Sequence, residues 1–321
     1  MILKPRYNSI NRIVVVLLTT AIVLQACQPG KLQQGTPATT PSAIFVTTQA
    51  PTTMDPVVPA TATPTASATL PPPTQTPTPE LSKELDQALI SGVDWYVVVK
   101  SAQGQRLFGK NTEEIFQPAS MIKIPLALVI LKILEVRGDT VEDIHNYGIG
   151  RNFSDLLEAM VVRSEEAATI TLETFARQYN RLRNYLYYWG LKHTTFDPRR
   201  STAEDLLLSL ELIDQQSLLT EELNDYLLEL MSTQTENDQI LLGVMSTQLP
   251  ECVFYNKRGT LLNPTIVSDM GILKCGDQSW YVVVAGTPAF DSSTTFEDIQ
   301  SSIEEFGMIF ASHVLLQLNQ N

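Results

Sequence analysis

The sequence predicts an α+β fold, in which a five-stranded antiparallel sheet is flanked by helices and an all-helical subdomain is inserted between the strands. Apolar residues at helical spacing fill the middle of the folded part, whereas strand-like segments lie near both of its ends. Strands from the two ends must pair in one sheet, which leaves the helical block as an insertion with a cleft beside it. The predicted strands are 94–100, 105–108, 252–259, 266–275 and 279–285.

The predicted helices follow from apolar spacing and from local end signals. A short helix is predicted over 81–91, and an amphipathic helix over 296–318 is predicted to cover the sheet. Ser201 and Glu204 offer a capping box for one helix of the central block. The helices of that block are predicted over 120–136, 153–162, 165–179, 180–189, 202–213 and 221–233.

Two of the three cysteines are placed symmetrically about a predicted turn at 262–265. Cys252 and Cys275 would then face each other across a hairpin, within reach of a disulfide. In an oxidising compartment we expect this bond, and the alternative is two small buried thiols. No C-x-x-C pair and no closely spaced histidine pair indicates a metal site, and no cofactor is predicted.

Residues 1–26 have the features of a secretory signal. A basic start precedes an apolar run over 13–24, which is too short to span a bilayer. The run ends in Leu-Gln-Ala-Cys27, which resembles a bacterial lipobox, whose cysteine is acylated. We therefore expect an extracytoplasmic protein with a lipid anchor at Cys27. An uncleaved anchor and a buried structural cysteine are the alternatives.

The segment 27–79 is predicted to be a disordered tether. It is almost free of charge and dense in proline, threonine, alanine and serine, so it cannot bury enough apolar surface to offset the entropy of ordering. The folding unit is therefore 80–321, a length that suits one domain.

The charge balance restricts the partners. The formal net charge is -13, and a strongly acidic chain without a basic patch disfavours nucleic acid and anionic membrane surfaces as partners. The predicted contact with a membrane is through the lipid anchor alone.

A serine and a lysine stand three positions apart where the first central helix begins. Ser120 and Lys123 would share a helical face, so the amine can take the hydroxyl proton if burial keeps the amine neutral. This spacing alone is common, and its meaning depends on the other motifs. A G-x-S-x-G elbow is absent from the sequence, and the three histidines lie in no triad context.

Three motifs in order resemble those of the penicillin-recognising serine hydrolases, and the chain is similar to their class A β-lactamase branch. Ser120-Met-Ile-Lys123 corresponds to the nucleophile motif. Ser164-Glu165-Glu166 stands where the family has Ser-Asp-Asn, and Lys257-Arg258-Gly259-Thr260 stands where it has Lys-Thr-Gly. The resemblance spans about 81–318.

The resemblance implies a role for each matched residue. Ser120 would form the acyl-enzyme with Lys123 as base, and Ser164 would pass a proton to the leaving nitrogen. Lys257 would hold that serine and attract a substrate carboxylate, and the backbone N–H groups of Ser120 and Thr260 would form the oxyanion hole. Two alternatives stay open at this point: Ser164 could serve as a helix cap, and Lys257 as a solvated strand lysine.

The chain also departs from the family pattern at expected substrate contacts. Glu166 replaces an amide, can only accept hydrogen bonds when ionised, and can pair with Lys123 and keep that amine charged. Arg258, next to the expected contact Gly259, can grip a carboxylate or fill the cleft. The stretch 190–200 contains no glutamate to activate a deacylating water, so slow deacylation is expected.

The sequence therefore predicts a serine acyl-transfer hydrolase that acts on β-lactams or on D-alanyl peptides of the cell wall. The alternative is a catalytically silent module on the same fold, which holds a cell-wall fragment or a protein partner in the cleft.

Overall fold

The computed structural model describes residues 79–179, 181–233 and 240–320. The predicted signal peptide, the tether and the lipidation site at Cys27 lie outside these residues. The strands are β1 (Val93–Ser101), β2 (Arg106–Lys110), β3 (Thr195–Phe196), β4 (Arg199–Arg200), β5 (Val253–Leu262), β6 (Thr265–Cys275) and β7 (Gln278–Pro288). Five of them form one antiparallel sheet in the order β2-β1-β7-β6-β5, and β3 pairs with β4 separately.

The helices flank this sheet. They are α1 (Pro79–Ala88), α2 (Lys123–Arg137), α3 (Val141–Asn146), α4 (Phe153–Val161), α5 (Glu166–Gln178), α6 (Leu182–Tyr188), α7 (Ala203–Asp214), α8 (Glu221–Ser232), α9 (Ile240–Gln248) and α10 (Phe296–Leu318). A one-turn 3₁₀ helix, Ala119–Ile122, leads directly into α2. In the described part of the chain, no helix is both long and apolar enough to cross a membrane.

Two apolar cores lie on opposite faces of the sheet. Alternate side chains of β7 enter different cores. Val282 and Val284 belong to the core under α1, α9 and α10. Val283 and Ala285 join the larger core under α2, α7 and the helical block. Since both faces are covered, β6 and β7 are buried along most of their length.

The predicted fold class is confirmed. Strands from both ends of the folded part share one sheet, and the helical block lies between them in sequence. The closing helix has the predicted bounds, 296–318. The sequence prediction missed α3, α9 and the β3–β4 pair.

The capping box predicted at Ser201 is wrong by one residue. Thr202 is the N-cap of α7, and its hydroxyl accepts a hydrogen bond from the backbone N–H of Asp205. The Ser201 hydroxyl instead contacts that of Thr194 at 2.9 Å. Thr194 also donates to the Asp205 carboxylate, so a buried polar cluster takes Ser201 away from the helix end.

The hairpin of β5 and β6 forms one edge of the sheet. A two-residue turn at Asn263 and Pro264 joins the strands, and Cys252 and Cys275 are disulfide-bonded, with their Cα atoms 4.4 Å apart. Because β5 is the last strand in the sheet order, its outer edge pairs with no described strand. β5 also contacts the 3₁₀ turn that precedes α2.

Candidate active site

Ser120 lies in the 3₁₀ turn that leads into α2. The residue before it, Ala119, has a positive φ of 49°, a conformation that is costly for a residue with a Cβ. Met121 and Ile122 beside it are fully buried, whereas Ser120 is partly exposed. Burial of these two neighbours thus fixes the backbone while the serine itself stays accessible.

The Lys123 amine is buried and faces the segment before α5. Only 1% of Lys123 is exposed, and its Nζ donates to the carbonyl oxygen of Ser164 at 2.7 Å and to its Oγ at 3.1 Å. Burial lowers the pKa of Lys123 from its ordinary value, although the charge of Glu166 opposes this shift. Burial prevails, so the amine is easier to deprotonate than a solvated lysine.

Ser164 is held in the left-handed region of backbone conformation, with φ of 57°. The N-cap of α5 is Glu165, not Ser164, which removes the alternative of a simple helix cap. The Ser164 hydroxyl is instead directed at Lys123. The first and second motifs are therefore in contact.

Lys257 and Gly259 lie on the face of β5 that is turned toward Ser120. A Cβ added at Gly259 would lie 2.9 Å from the backbone nitrogen of Ser120, so the close approach of strand and serine requires a glycine. Lys257 is 2% exposed, which contradicts the alternative of a solvated lysine. Burial and the charge of Lys123 lower the pKa of Lys257 to about 7. Thr260, the predicted oxyanion residue, follows on the same edge strand and is exposed.

Arg258 alternates to the other face of β5. It lies directly opposite Asp269 of β6, a fully buried carboxylate that accepts hydrogen bonds from the Leu241 N–H and from the Asn256 side chain. Burial raises the pKa of Asp269 to about 6, against the charges of Arg258 and Lys257. Arg258 therefore lies opposite a carboxylate on the neighbouring strand β6. Its contact with a substrate stays a prediction.

Glu166 is in position to pair with Lys123. Its Oε2 lies 3.7 Å from Lys123 Nζ, and its Oε1 lies 2.6 Å from the Arg199 guanidinium. Burial alone would raise the pKa of Glu166, but the hydrogen bond and charge of Arg199, with Lys123, hold it below its ordinary value. Glu166 is thus an ionised carboxylate that lies between the Arg199 guanidinium and the Lys123 amine.

Arg199 is the site residue that sequence reasoning missed. It lies on β4, at the end of the stretch that lacks a glutamate, and it also contacts Glu173 of α5 at 3.4 Å. One feature of the sequence could have indicated it: two adjacent arginines, Arg199 and Arg200, in a strongly acidic chain. The stretch 190–200, which has no glutamate, therefore places a cation, rather than a water-activating carboxylate, beside Glu166.

The site contains no group of residues suited to a metal. The described residues include no cluster of three or more histidine, cysteine, aspartate or glutamate side chains that could hold an ion. The chemistry available is that of a partly exposed serine, a buried amine, a second hydroxyl and a second buried lysine. This set is typical of serine hydrolases that transfer an acyl group through a lysine base.

The comparison with family models identifies the class more closely. The model described as the beta-lactamase enzyme family matches residues 80–303, which is most of the chain. The chain belongs to this family. No curated protein sequence was found to match it.

Solved structures show the same fold at low sequence identity. The TLA-1 extended-spectrum beta-lactamase is 18% identical with a TM-score of 0.61, covering 73% of this chain and 98% of its own. PBP-A, solved alone and, as a mutant, as an acyl-enzyme complex with penicillin G, is 17% identical with a TM-score of 0.59, covering 76% and 100%. A beta-lactamase from Chitinophaga pinensis is 16% identical with a TM-score of 0.60, covering 73% and 99%.

Proposed function

We propose that the protein forms an acyl-enzyme at Ser120 with β-lactams or D-alanyl cell-wall peptides and that it releases the acyl group slowly. The observation that carries this proposal is the buried Lys123 amine, which lies one helical turn after Ser120 and is hydrogen-bonded to Ser164. An amine whose pKa is lowered by burial is a competent base for a neighbouring hydroxyl.

The proposed acylation assigns each proton. Neutral Lys123 takes the proton of the Ser120 hydroxyl as the oxygen attacks the substrate carbonyl carbon. The N–H groups of Ser120 and Thr260 stabilise the tetrahedral oxyanion. As the C–N bond breaks, the proton passes from Lys123 through the Ser164 hydroxyl to the leaving nitrogen. Lys257 supplies charge that attracts a substrate carboxylate.

Slow release of the acyl group is supported by the charges around Glu166. Hydrolysis of an acyl-enzyme needs a base that takes a proton from water, and Glu166 is the carboxylate nearest to Lys123 in the described site. The Arg199 guanidinium, 2.6 Å away, holds it in the ionised, paired state, which lowers its basicity. An ion-paired carboxylate is a weak general base, so we expect turnover to be limited by deacylation.

The test is intact-mass spectrometry over a time course with benzylpenicillin. The expected result is a mass increase equal to the whole penicillin molecule, because ring opening loses no atoms. The adduct should persist for minutes or longer and should be absent from Ser120→Ala. If the parent gains no mass and the drug is not consumed, acylation by β-lactams is ruled out, and a binding role or a different acyl substrate takes its place.

The competing function is a silent binding module, and one observation favours it. Glu166 lies close enough to Lys123 to hold a proton on the amine. In that case Ser120→Ala would bind a cell-wall peptide as tightly as the parent, and neither protein would acquire an adduct.

For the location, we propose a lipid anchor at Cys27 on the outer side of a bacterial membrane. The lipobox-like run before Cys27 supports this. Expression in a bacterial host should give a membrane-bound parent and a Cys27→Ala variant that loses the fatty acyl mass. Equal palmitate labelling of the two proteins would contradict the anchor.

A further inference from the structure

A cavity lies on the helical block, and its wall includes none of Ser120, Lys123, Ser164 and Lys257. Its volume is about 580 Å³, within the usual range for sites that hold small organic ligands. Buried apolar side chains from α6 and the following loop contribute to its wall, and Tyr187 adds an exposed aromatic ring. These buried side chains are Leu182, Leu186, Leu191 and Phe196.

The charges around this cavity are opposite in sign to those of the protein as a whole. The chain has a formal net charge of -13, yet the cavity wall contains three cations and one carboxylate, Asp197. Arg177 is paired with Glu173 at 2.6 Å. Arg183 and Lys192 are exposed and make no ion pair with any described residue. Two cations are thus free to meet an anion at the mouth of an apolar cavity.

The threonine hydroxyls of the wall are already in use. Thr194 donates to the Asp205 carboxylate at 2.9 Å, and Thr195 donates to the Pro198 carbonyl at 2.6 Å. Polar recognition would therefore come mainly from the two unpaired cations, which favour a carboxylate, sulfonate or phosphate group over a neutral polar one.

We propose that this cavity is a second ligand site for an amphiphilic anion, a molecule with an apolar body of one or two rings and a single acidic group. The apolar body packs against the buried leucines and Phe196, and the acidic group meets Arg183 and Lys192. The site is separate from the acyl-transfer chemistry, because its wall includes none of Ser120, Lys123 and Lys257.

The probe is 8-anilinonaphthalene-1-sulfonate, which has two aromatic units and one sulfonate. N-phenyl-1-naphthylamine has the same rings without the charge and measures the apolar contribution alone. Both are titrated by fluorescence into the chain from residue 28 onward, which retains every described residue. We expect saturable binding of the sulfonate at one site per chain, about tenfold tighter than binding of the uncharged amine.

The variant is Arg183→Glu with Lys192→Glu. Both side chains are exposed, so the fold should be kept, and circular dichroism checks this. The double variant should bind the sulfonate about tenfold more weakly and the uncharged amine unchanged. Lys83→Glu on α1, also an exposed lysine reversal, is the matched control and should leave both affinities unchanged.

Three results would overturn the site: no saturable sulfonate binding, equal affinity for the two probes, or undiminished sulfonate binding in the double variant. The last result would place the probe elsewhere, for instance beside the lysines of the active site. Because none of these readouts uses acylation, they are independent of the proposed function.

Discussion

The Lys123 side chain is the residue on which the proposed chemistry depends most. Burial favours its neutral form, whereas Glu166 at 3.7 Å favours its charged form. The carboxylate is itself about half exposed and is shared with Arg199, so solvent and the guanidinium weaken its hold on the lysine. The net result is a lysine with a lowered pKa inside an ion-paired site.

Glu166→Gln is expected to lower the pKa of Lys123 further, because the opposing negative charge is lost while Arg199 stays. Acylation requires the neutral amine, so the acidic limb of its pH profile should move to lower pH. The measurement is the rate of adduct formation with benzylpenicillin between pH 5 and 9.

The control for this prediction is Glu165→Gln. Glu165 is the adjacent residue, and its carboxylate pairs with Arg151 at 3.0 Å instead of with Lys123. Its profile should coincide with that of the parent. A limb that stays in place or moves to higher pH in Glu166→Gln would mean that Lys123 is not the base.

The sequence indicated most of the candidate site but not all of it. Ser120 and Lys123 are neighbours by helical spacing, and the contact of Lys123 with Ser164 follows from motifs that the resemblance supplied. Arg199 could not be found in this way, because its position depends on how β4 folds back onto α5. Local spacing predicts neighbours along a helix, whereas a salt bridge between distant segments is a property of the tertiary fold.

The helices, too, were predicted correctly where the local sequence determines them and wrongly where tertiary contacts do or where the segment is very short. The closing helix was predicted within its bounds because its apolar face and its capping residue Thr295 lie in the local sequence. The short α3 was missed because six residues give too little periodicity, although Thr140 and Asp143 form a capping box there. The predicted position of the α7 cap was wrong by one residue because the buried Thr194 hydroxyl binds the Ser201 hydroxyl.

Thr202→Ala tests the cap of α7. The variant loses the hydrogen bond to the Asp205 N–H, which should lower the free energy of unfolding by about 1 kcal/mol. Thr220→Ala is the matched control, since Thr220 is the N-cap of α8 but makes no side-chain capping bond, and it should cost much less. Urea unfolding monitored by circular dichroism measures both, and equal losses would contradict the assignment.

The central sheet is built from strands at the two ends of the folded part, with β1 and β2 from the beginning and β5, β6 and β7 from the end. A disulfide joins β5 and β6 at one edge of this sheet. Cys252 and Cys275 are 23 residues apart in sequence. Closing a loop of this length restricts the unfolded chain, which stabilises the fold by about 3 kcal/mol in the chain-entropy model. The bond lies at one end of β5 and β6, and Lys257 lies farther along β5 toward the turn.

The double variant Cys252→Ser and Cys275→Ser should therefore unfold at lower urea concentration, with a loss of about 2 to 4 kcal/mol. Adduct formation at Ser120 should be unchanged at temperatures where the variant is folded. Treating the parent with a reductant before denaturation should reproduce the loss. Unaltered stability in both experiments would show that the bond contributes nothing to the fold.

A row of ion pairs runs from Arg177 in the cavity wall to Lys123 of the candidate active site. Arg177 contacts Glu173, Glu173 contacts Arg199, Arg199 contacts Glu166, and Glu166 contacts Lys123. Replacing Arg177 would leave Glu173 to Arg199 alone, and the charge of Glu166 would then act more strongly on Lys123 and oppose the lowering of its pKa. Such coupling is reciprocal: a change at Lys123 is felt at Arg177 with the same coupling free energy.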